Sequence, residues 1–184
     1  WWELLRRVGK ILATVEELPT PNGSPELAEF APHRFGDLPY CLYRSPFESG
    51  GSSPLIVFLH GAGGAGKDNG AQLKGGNGFA LSRLASGLLE GQVQAQILAP
   101  QCPREEGWWS PGPEPSRCGA LLLAMLEEWV AQGKVDSHRI YLVGVSMGGH
   151  GAWDLVWRRT QLFAALVPIC AACPPQRAES LSRL

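Results

Sequence analysis

Short runs of apolar residues recur along the chain, separated by stretches rich in glycine, proline and polar residues. Runs that are apolar at nearly every position are typical of strands buried on both faces of a sheet. Proline and small polar residues end several of the runs, as they do at strand ends. The predicted strands cover residues 40–44, 54–59, 96–99, 139–144 and 162–167.

Between these runs, apolar residues recur at the spacing of a helix that buries one face. The predicted helices cover residues 79–89, 116–132 and 147–159, the second closed by Gly133. Strands that alternate with helices favour a parallel sheet with helices on both faces. The sequence therefore predicts an α/β fold with a mostly parallel central sheet, in which reactive groups gather at the carboxyl ends of the strands.

The beginning of the chain shows a different pattern. Residues 1–18 place leucine, valine and isoleucine at helical spacing with charges on the other face, which predicts an amphipathic helix. We expect this helix to dock on its own domain rather than on a membrane surface. Residues 19–32 are rich in Pro, Gly, Ser and Glu and are predicted as a linker. Residues 33–184 form the predicted domain.

Composition and charge narrow the functional classes. The formal net charge is −1, so no basic field points to nucleic acid. The sequence contains no stretch of about eighteen apolar residues, so it predicts no membrane span. Cys170 and Cys173 have the spacing of a redox or metal pair, but no second pair or histidine cluster accompanies them. The sequence therefore implies no metal and no organic cofactor. It does not indicate a compartment or an oligomeric state.

The strongest chemical signal is Gly144-Val-Ser146-Met-Gly148, which matches the pattern G-x-S-x-G. A predicted buried strand precedes it and a predicted helix follows it, as in the nucleophile elbow of serine hydrolases. The flanking glycines allow the tight turn that exposes Oγ of Ser146. The amide of Met147, at the start of the helix, is then a candidate oxyanion donor.

A glycine-rich segment, His60-Gly-Ala-Gly-Gly64, follows the predicted strand at residues 54–59. Hydrolases with this elbow place their second oxyanion donor in the corresponding loop, so we assign that donor to Gly61 or Ala62. His60 is predicted to hold the loop. The alternative is a phosphate-binding loop ending at Lys67, but Asp68 stands where Ser or Thr would bind Mg²⁺.

Together these segments resemble the α/β-hydrolases, in particular predicted peptidases and carboxylesterases similar to polyhydroxybutyrate depolymerases and feruloyl esterases. The resemblance covers about residues 39–173 and rests on four separated regions in the same order. They are Phe58-Leu-His-Gly-Ala-Gly63 with Asp68-Asn69 and Gln72-Leu73; Leu98-Ala-Pro-Gln-Cys-Pro103 with Trp108-Trp109; Val143-Gly-Val-Ser-Met-Gly-Gly149 with Gly151-Ala-Trp153; and Val167-Pro-Ile-Cys170.

The resemblance implies an ester hydrolase that acts on a small-molecule or polymeric ester. It makes Ser146 the nucleophile and the amides of Ala62 and Met147 the oxyanion hole. It also places Trp108 and Trp109 beside the substrate pocket, although packing within the loop is an equal alternative.

The acid and base of the expected triad are missing after Ser146. The chain order in this fold is Ser, then Asp or Glu, then His. The acids that follow are Asp154 and Glu179, and the histidine is His150, one helical turn from the serine. We therefore expect the fold to be incomplete, lacking its last strands, with residues 162–167 as an exposed edge. Without a base, turnover should fall on the order of 10⁶-fold. The remaining hypotheses are a non-catalytic binding module and a nucleotide-binding protein using residues 61–67.

Overall fold

The apolar runs form one mostly parallel sheet in the computed structural model, which describes residues 25–47 and 51–173. Six described strands form this sheet, in the order β1-β2-β4-β3-β5-β6. The second strand is antiparallel to both of its neighbours, and the other pairs are parallel. The strands are β1 Ala31–Phe35, β2 Leu38–Arg44, β3 Ser53–Leu59, β4 Gln96–Pro100, β5 Val135–Val145 and β6 Ala165–Ile169.

Helices cover both faces of the sheet. They are α1 Pro25–Ala28, α2 Gly75–Glu90, α3 Arg117–Ala131 and α4 Met147–Arg158, and short 3₁₀ turns lie at Ala62–Gly64, Ala71–Leu73 and Thr160–Leu162. Successive side chains of a strand point to opposite faces. Val57 of β3 accordingly joins a core with α3 and α4, whereas Phe58 joins a second core with α2. The predicted fold class is confirmed.

The chain before β2 differs from the predicted linker. It contains α1 and the beginning of β1. The first strand is mostly exposed at the edge of the sheet, so it lacks the apolar pattern that identifies buried strands. The predicted helix at residues 1–18 lies outside the described residues. In the part of the chain that the structure describes, no helix has the length and apolarity needed to cross a membrane.

The other edge of the sheet is β6. It begins at Ala165, because Leu162, the first residue of the predicted strand, belongs to the 3₁₀ turn Thr160–Leu162. Within residues 25–47 and 51–173, its only strand partner is β5. All five residues of β6 are half-buried. The strand thus forms an edge, as expected for residues 162–167.

A buried ion pair within α4 holds an arginine that connects this helix to the long connection between β4 and α3. The side chains of Asp154 and Arg158 are 1% and 5% exposed, and two hydrogen bonds of 2.8 and 3.2 Å join them. Arg158 also donates to the backbone carbonyls of Ser110, Gly112 and Pro113. Because Asp154 is used in this way, it is a structural acid and lies one turn further from Ser146 than His150 does.

Replacing Asp154 with Asn should destabilise the protein by about 3 kcal/mol or more, because the Arg158 guanidinium would remain buried without a counter-ion. Chemical denaturation of the wild type and variant measures this loss. Glu127→Gln is the matched control. It removes an ion pair to Arg159 in which both side chains are more than half exposed, so it should cost less than about 1 kcal/mol. Equal losses in the two variants would contradict the structural role of the buried pair.

Candidate active site

Ser146 lies on a tight turn between β5 and α4. Its φ of 53° is in the left-handed region, with ψ at −114°, and the residue is exposed. A non-glycine residue in this conformation carries strain on the order of 1–3 kcal/mol, which the surrounding structure must offset. The amide of Ser146 donates to the carbonyl of Ile169 in β6 over 2.8 Å. This hydrogen bond helps to hold the strained residue, and the turn presents Oγ to solvent.

The glycines around Ser146 are required by close backbone contacts. A Cβ at Gly148 would lie 2.0 Å from the carbonyl oxygen of Leu59 in β3. A Cβ at Gly144 would lie 2.2 Å from the carbonyl oxygen of Gly148. Neither site accepts a side chain without moving backbone, so these residues allow α4 to begin directly against the end of β3.

The glycine-rich segment after β3 reaches the same point. A Cβ at Gly61 would lie 3.6 Å from Cβ of Ser146 and 3.3 Å from the carbonyl oxygen of Val145. The end of β3 and the end of β5 therefore meet beside the serine, as expected for the carboxyl ends of neighbouring parallel strands.

Side chains hold three of the four polar groups in the two peptide units around Gly61. In the first unit, the carbonyl of His60 accepts from Nε1 of Trp108 over 3.2 Å, and the amide of Gly61 donates to Oδ1 of Asn77 over 3.0 Å. In the second unit, the carbonyl of Gly61 accepts from Nδ1 of His60 over 2.7 Å. The remaining group is the amide of Ala62, to which the described residues offer no acceptor.

This arrangement decides between the two predicted donors. The amide of Gly61 is already bonded to Asn77, so it is not an oxyanion donor. The carbonyl of Gly61 and the amide of Ala62 belong to one planar trans peptide and point in opposite directions. Holding that carbonyl therefore fixes the direction of the Ala62 amide. The Met147 amide, in the first turn of α4, likewise has no acceptor among the described residues.

Solved structures of esterases share this fold. A thermostable esterase matches with a TM-score of 0.73 and 28% identity, over 87% of this chain and 46% of that one. A ferulic acid esterase matches with a TM-score of 0.53 and 18% identity, over 70% of this chain and 52% of that one. An acetyl xylan esterase from Aspergillus awamori matches with a TM-score of 0.53 and 18% identity, over 72% of this chain and 48% of that one. This chain thus spans about half the length of each.

This chain has the α/β-hydrolase fold. No protein-family model and no curated protein matches the sequence. The mixed sheet, the helices on both faces and the strand-to-helix turn at Ser146 are the features shared with the fold.

In this fold, His60 is a buried neutral residue that holds the loop. Its Nε2 accepts from the amide of Cys102 over 2.9 Å, and its Nδ1 donates to Gly61. These two contacts require a single proton, on Nδ1. Burial lowers the pKa of His60, and the hydrogen bond to the Gly61 carbonyl opposes this only in part. The imidazole is thus fixed by both nitrogens and is not available to take a proton from Ser146.

The two tryptophans that were predicted to border a substrate pocket differ in their surroundings. Trp108 is 0% exposed; its ring lies edge-on to His60 at 5.2 Å, and its Cβ would lie 2.1 Å from a Cβ at Gly151. It therefore contacts protein and not substrate. Trp109 is 48% exposed. Of the predicted pair, only Trp109 is available to a ligand.

The loop beyond the glycines is built on a polar cluster that was not predicted. Gln101 is fully buried and donates to the carbonyl of Gly64 and to Asp68, while its Oε1 accepts from the amide of Asn69. Asp68 also accepts from the amides of Gly70 and Ala71. The hydrogen bond from Gln101, and after it the two from these amides, lower the pKa of Asp68 to about 2. The motif residues that carry the family resemblance thus serve to shape the loop.

The same loop does not form a phosphate cradle. The amides of Gly64, Ala65 and Gly66 donate to carbonyls within the protein, so they are not directed at a common anion. Lys67 forms an exposed ion pair with Glu105 instead of reaching over the loop. The geometry therefore gives no support to nucleotide binding by residues 61–67.

A base for Ser146 is absent from the residues that the structure describes. No described side chain forms a hydrogen bond with Oγ of Ser146. His150 is exposed one turn along α4, where its amide donates to the carbonyl of Ser146. Glu179 lies outside the described residues.

The lowered pKa of His60 predicts a specific pH dependence of stability. The unfolded chain takes up a proton on this histidine near pH 6.5, whereas the folded state resists protonation to lower pH. The contribution of His60 is therefore fully present above about pH 6.5 and is lost progressively as the pH falls toward the folded pKa. Chemical denaturation curves between pH 5 and 8 measure this change in the free energy of unfolding.

His60→Asn provides the comparison for this prediction. The amide of Asn can donate to the Gly61 carbonyl in place of Nδ1, but it does not titrate. We expect the variant to be less stable at pH 8. We also expect its free energy of unfolding to lose the part of the pH dependence that begins near pH 6.5. An unchanged slope would mean that another group causes the pH dependence.

Proposed function

We propose that the protein containing this chain is a serine hydrolase that cleaves carboxylic esters through an acyl-enzyme on Ser146. One observation carries the proposal: an exposed serine in a strained strand-to-helix turn lies beside two amides, of Ala62 and Met147, that the described residues leave without acceptors. Serine hydrolases need this combination of a presented hydroxyl and preorganised donors.

In the proposed reaction, Oγ of Ser146 attacks the ester carbonyl carbon while a base takes the hydroxyl proton. The carbonyl oxygen becomes negatively charged and accepts hydrogen bonds from Ala62 and Met147, where the N-terminal end of α4 adds a favourable field. The tetrahedral intermediate collapses, the alcohol leaves with a proton, and the acyl group remains on Oγ. Water then attacks the acyl-enzyme by the same route and releases the acid.

The base must come from outside the described residues, because His60 is bonded through both nitrogens and His150 lies along the helix. The names of the structural neighbours, thermostable esterase, ferulic acid esterase and acetyl xylan esterase, support an ester rather than a peptide as the substrate. Trp109 provides an exposed aromatic surface for that substrate.

The absence of a base among residues 25–47 and 51–173 also supports a second candidate, a binding module that has the fold without the reaction. Such a module would keep the exposed turn at Ser146 but would not transfer an acyl group. The two candidates differ in whether Ser146 reacts covalently.

The proposed reaction predicts that Ser146→Ala abolishes both labelling by a fluorophosphonate probe and hydrolysis of p-nitrophenyl butyrate in the native protein that contains this chain. The expected loss of turnover is on the order of 10⁶-fold, the effect of removing the nucleophile of such a site. Ser52→Ala, at an exposed serine remote from the elbow, is the control and should change neither. His150→Ala should keep turnover within about threefold, since that residue does not reach Oγ.

Labelling that persists after Ser146→Ala would overturn the assignment of the nucleophile. A soluble, folded native protein that reacts with no probe and hydrolyses no ester would instead favour the binding module.

A further inference from the structure

Asn77 lies in the first turn of α2, in a segment that the sequence motifs do not single out. Its Oδ1 accepts from the amide of Gly61 over 3.0 Å, sixteen residues away along the chain. The side chain is half-buried. The Asn77 atom that faces Gly61 is the amide oxygen and not the nitrogen, because the Gly61 N–H can only donate.

Asn77 and Ser146 both lie close to Gly61. A Cβ at Gly61 would lie 3.8 Å from Oδ1 of Asn77 and 3.6 Å from Cβ of Ser146. The Asn77 side chain therefore lies at the edge of the site, because its Oδ1 and Cβ of Ser146 are both within 4 Å of the same point on Gly61.

We propose that Asn77 is a positioning residue for the oxyanion loop, acting through the Gly61 amide to set the direction of the Ala62 amide. This inference rests on the proposed function of Ser146 and Ala62.

The first step of the argument concerns rotation of the backbone. Gly61 has no Cβ, so rotation about its bonds is opposed by less steric hindrance than in any other residue. The peptide unit before Gly61 is held at its carbonyl by Trp108 and at its amide by Asn77. Without Asn77, that unit is held at its carbonyl only, and the Ala62 amide is restrained only through the Gly61 carbonyl, which accepts from His60 and from the amide of Gly64.

The second step concerns the rigidity of Asn77 itself. Gly78 packs so closely that a Cβ there would lie 2.1 Å from the carbonyl oxygen of Leu73, and its amide donates to the carbonyl of Lys74. The first turn of α2 is thus fixed against the preceding 3₁₀ turn. A side chain on this turn provides a well-defined acceptor for the loop, as a preorganised site requires.

The test is Asn77→Leu, which keeps the approximate size of the side chain and removes the acceptor. In the native protein, hydrolysis of p-nitrophenyl butyrate should show a kcat about 10- to 100-fold lower, while KM stays within about threefold. Loss of one oxyanion donor costs roughly 10²–10³, and misdirection of a donor should cost less. The affinity for phenylboronic acid, whose tetrahedral serine adduct places an oxygen in the oxyanion hole, should fall by a similar factor.

Gly76→Ala is the matched control. It lies in the same helical turn, and an added Cβ meets nothing within 4 Å. It should leave kcat, KM and boronate affinity unchanged. Equal changes in Gly76→Ala and Asn77→Leu would show that the helix, not the Asn77 acceptor, is responsible and would overturn the proposal.

Amide hydrogen exchange at Gly61 provides a readout that does not need turnover. Exchange should be at least 10-fold faster in Asn77→Leu than in the wild type and in Gly76→Ala. If Ser146→Ala abolishes hydrolysis but Asn77→Leu changes neither kcat nor boronate affinity, the role of Asn77 is wrong and the proposed function stands. If Ser146→Ala leaves hydrolysis intact, the proposed function is wrong, and Asn77 cannot position a donor for that reaction.

Discussion

The site depends on a close approach between two backbone segments at Gly148. The first turn of α4 begins so near the end of β3 that a single Cβ would overlap the carbonyl of Leu59. This approach brings the amide of Met147 and the glycine-rich loop after β3 to the same side of Ser146. A larger residue at position 148 would separate the two segments, and with them the Met147 amide and the loop that contains Ala62.

Hydrogen bonds from distant parts of the chain hold the loop against this approach. Trp108 from the connection after β4, Asn77 from α2 and His60 from the loop itself each bind one polar group beside Gly61. Each neutral hydrogen bond contributes only about 1 kcal/mol to stability. Their larger effect is directional, because together they fix the orientation of the Ala62 amide, for which the described part of the chain offers no acceptor. The buried pair of Asp154 and Arg158 extends this support by anchoring the connection that carries Trp108.

Local sequence patterns predicted the elements that form the buried part of the fold, because each must be apolar on the faces that it buries. They did not predict β1, whose exposed edge position removes the apolar pattern, or the start of β6, which follows a 3₁₀ turn. They placed a nucleophile elbow at Ser146, where the structure has a strained strand-to-helix turn. They left Gly61 and Ala62 as alternatives because the deciding partner, Asn77, is remote in sequence. Burial of Trp108 likewise depends on Gly151, which lies far along the chain in α4.

The hydrogen bond from the Ser146 amide to Ile169 ties the geometry of the elbow to the outermost strand of the described sheet. Edge strands open more readily than central ones, since fewer neighbours hold them. When β6 frays, the serine loses the acceptor that helps to keep its φ positive, and its backbone can relax toward an ordinary conformation. A shift of β6 relative to β5 would therefore change how the turn presents the Ser146 hydroxyl while the central strands remain folded.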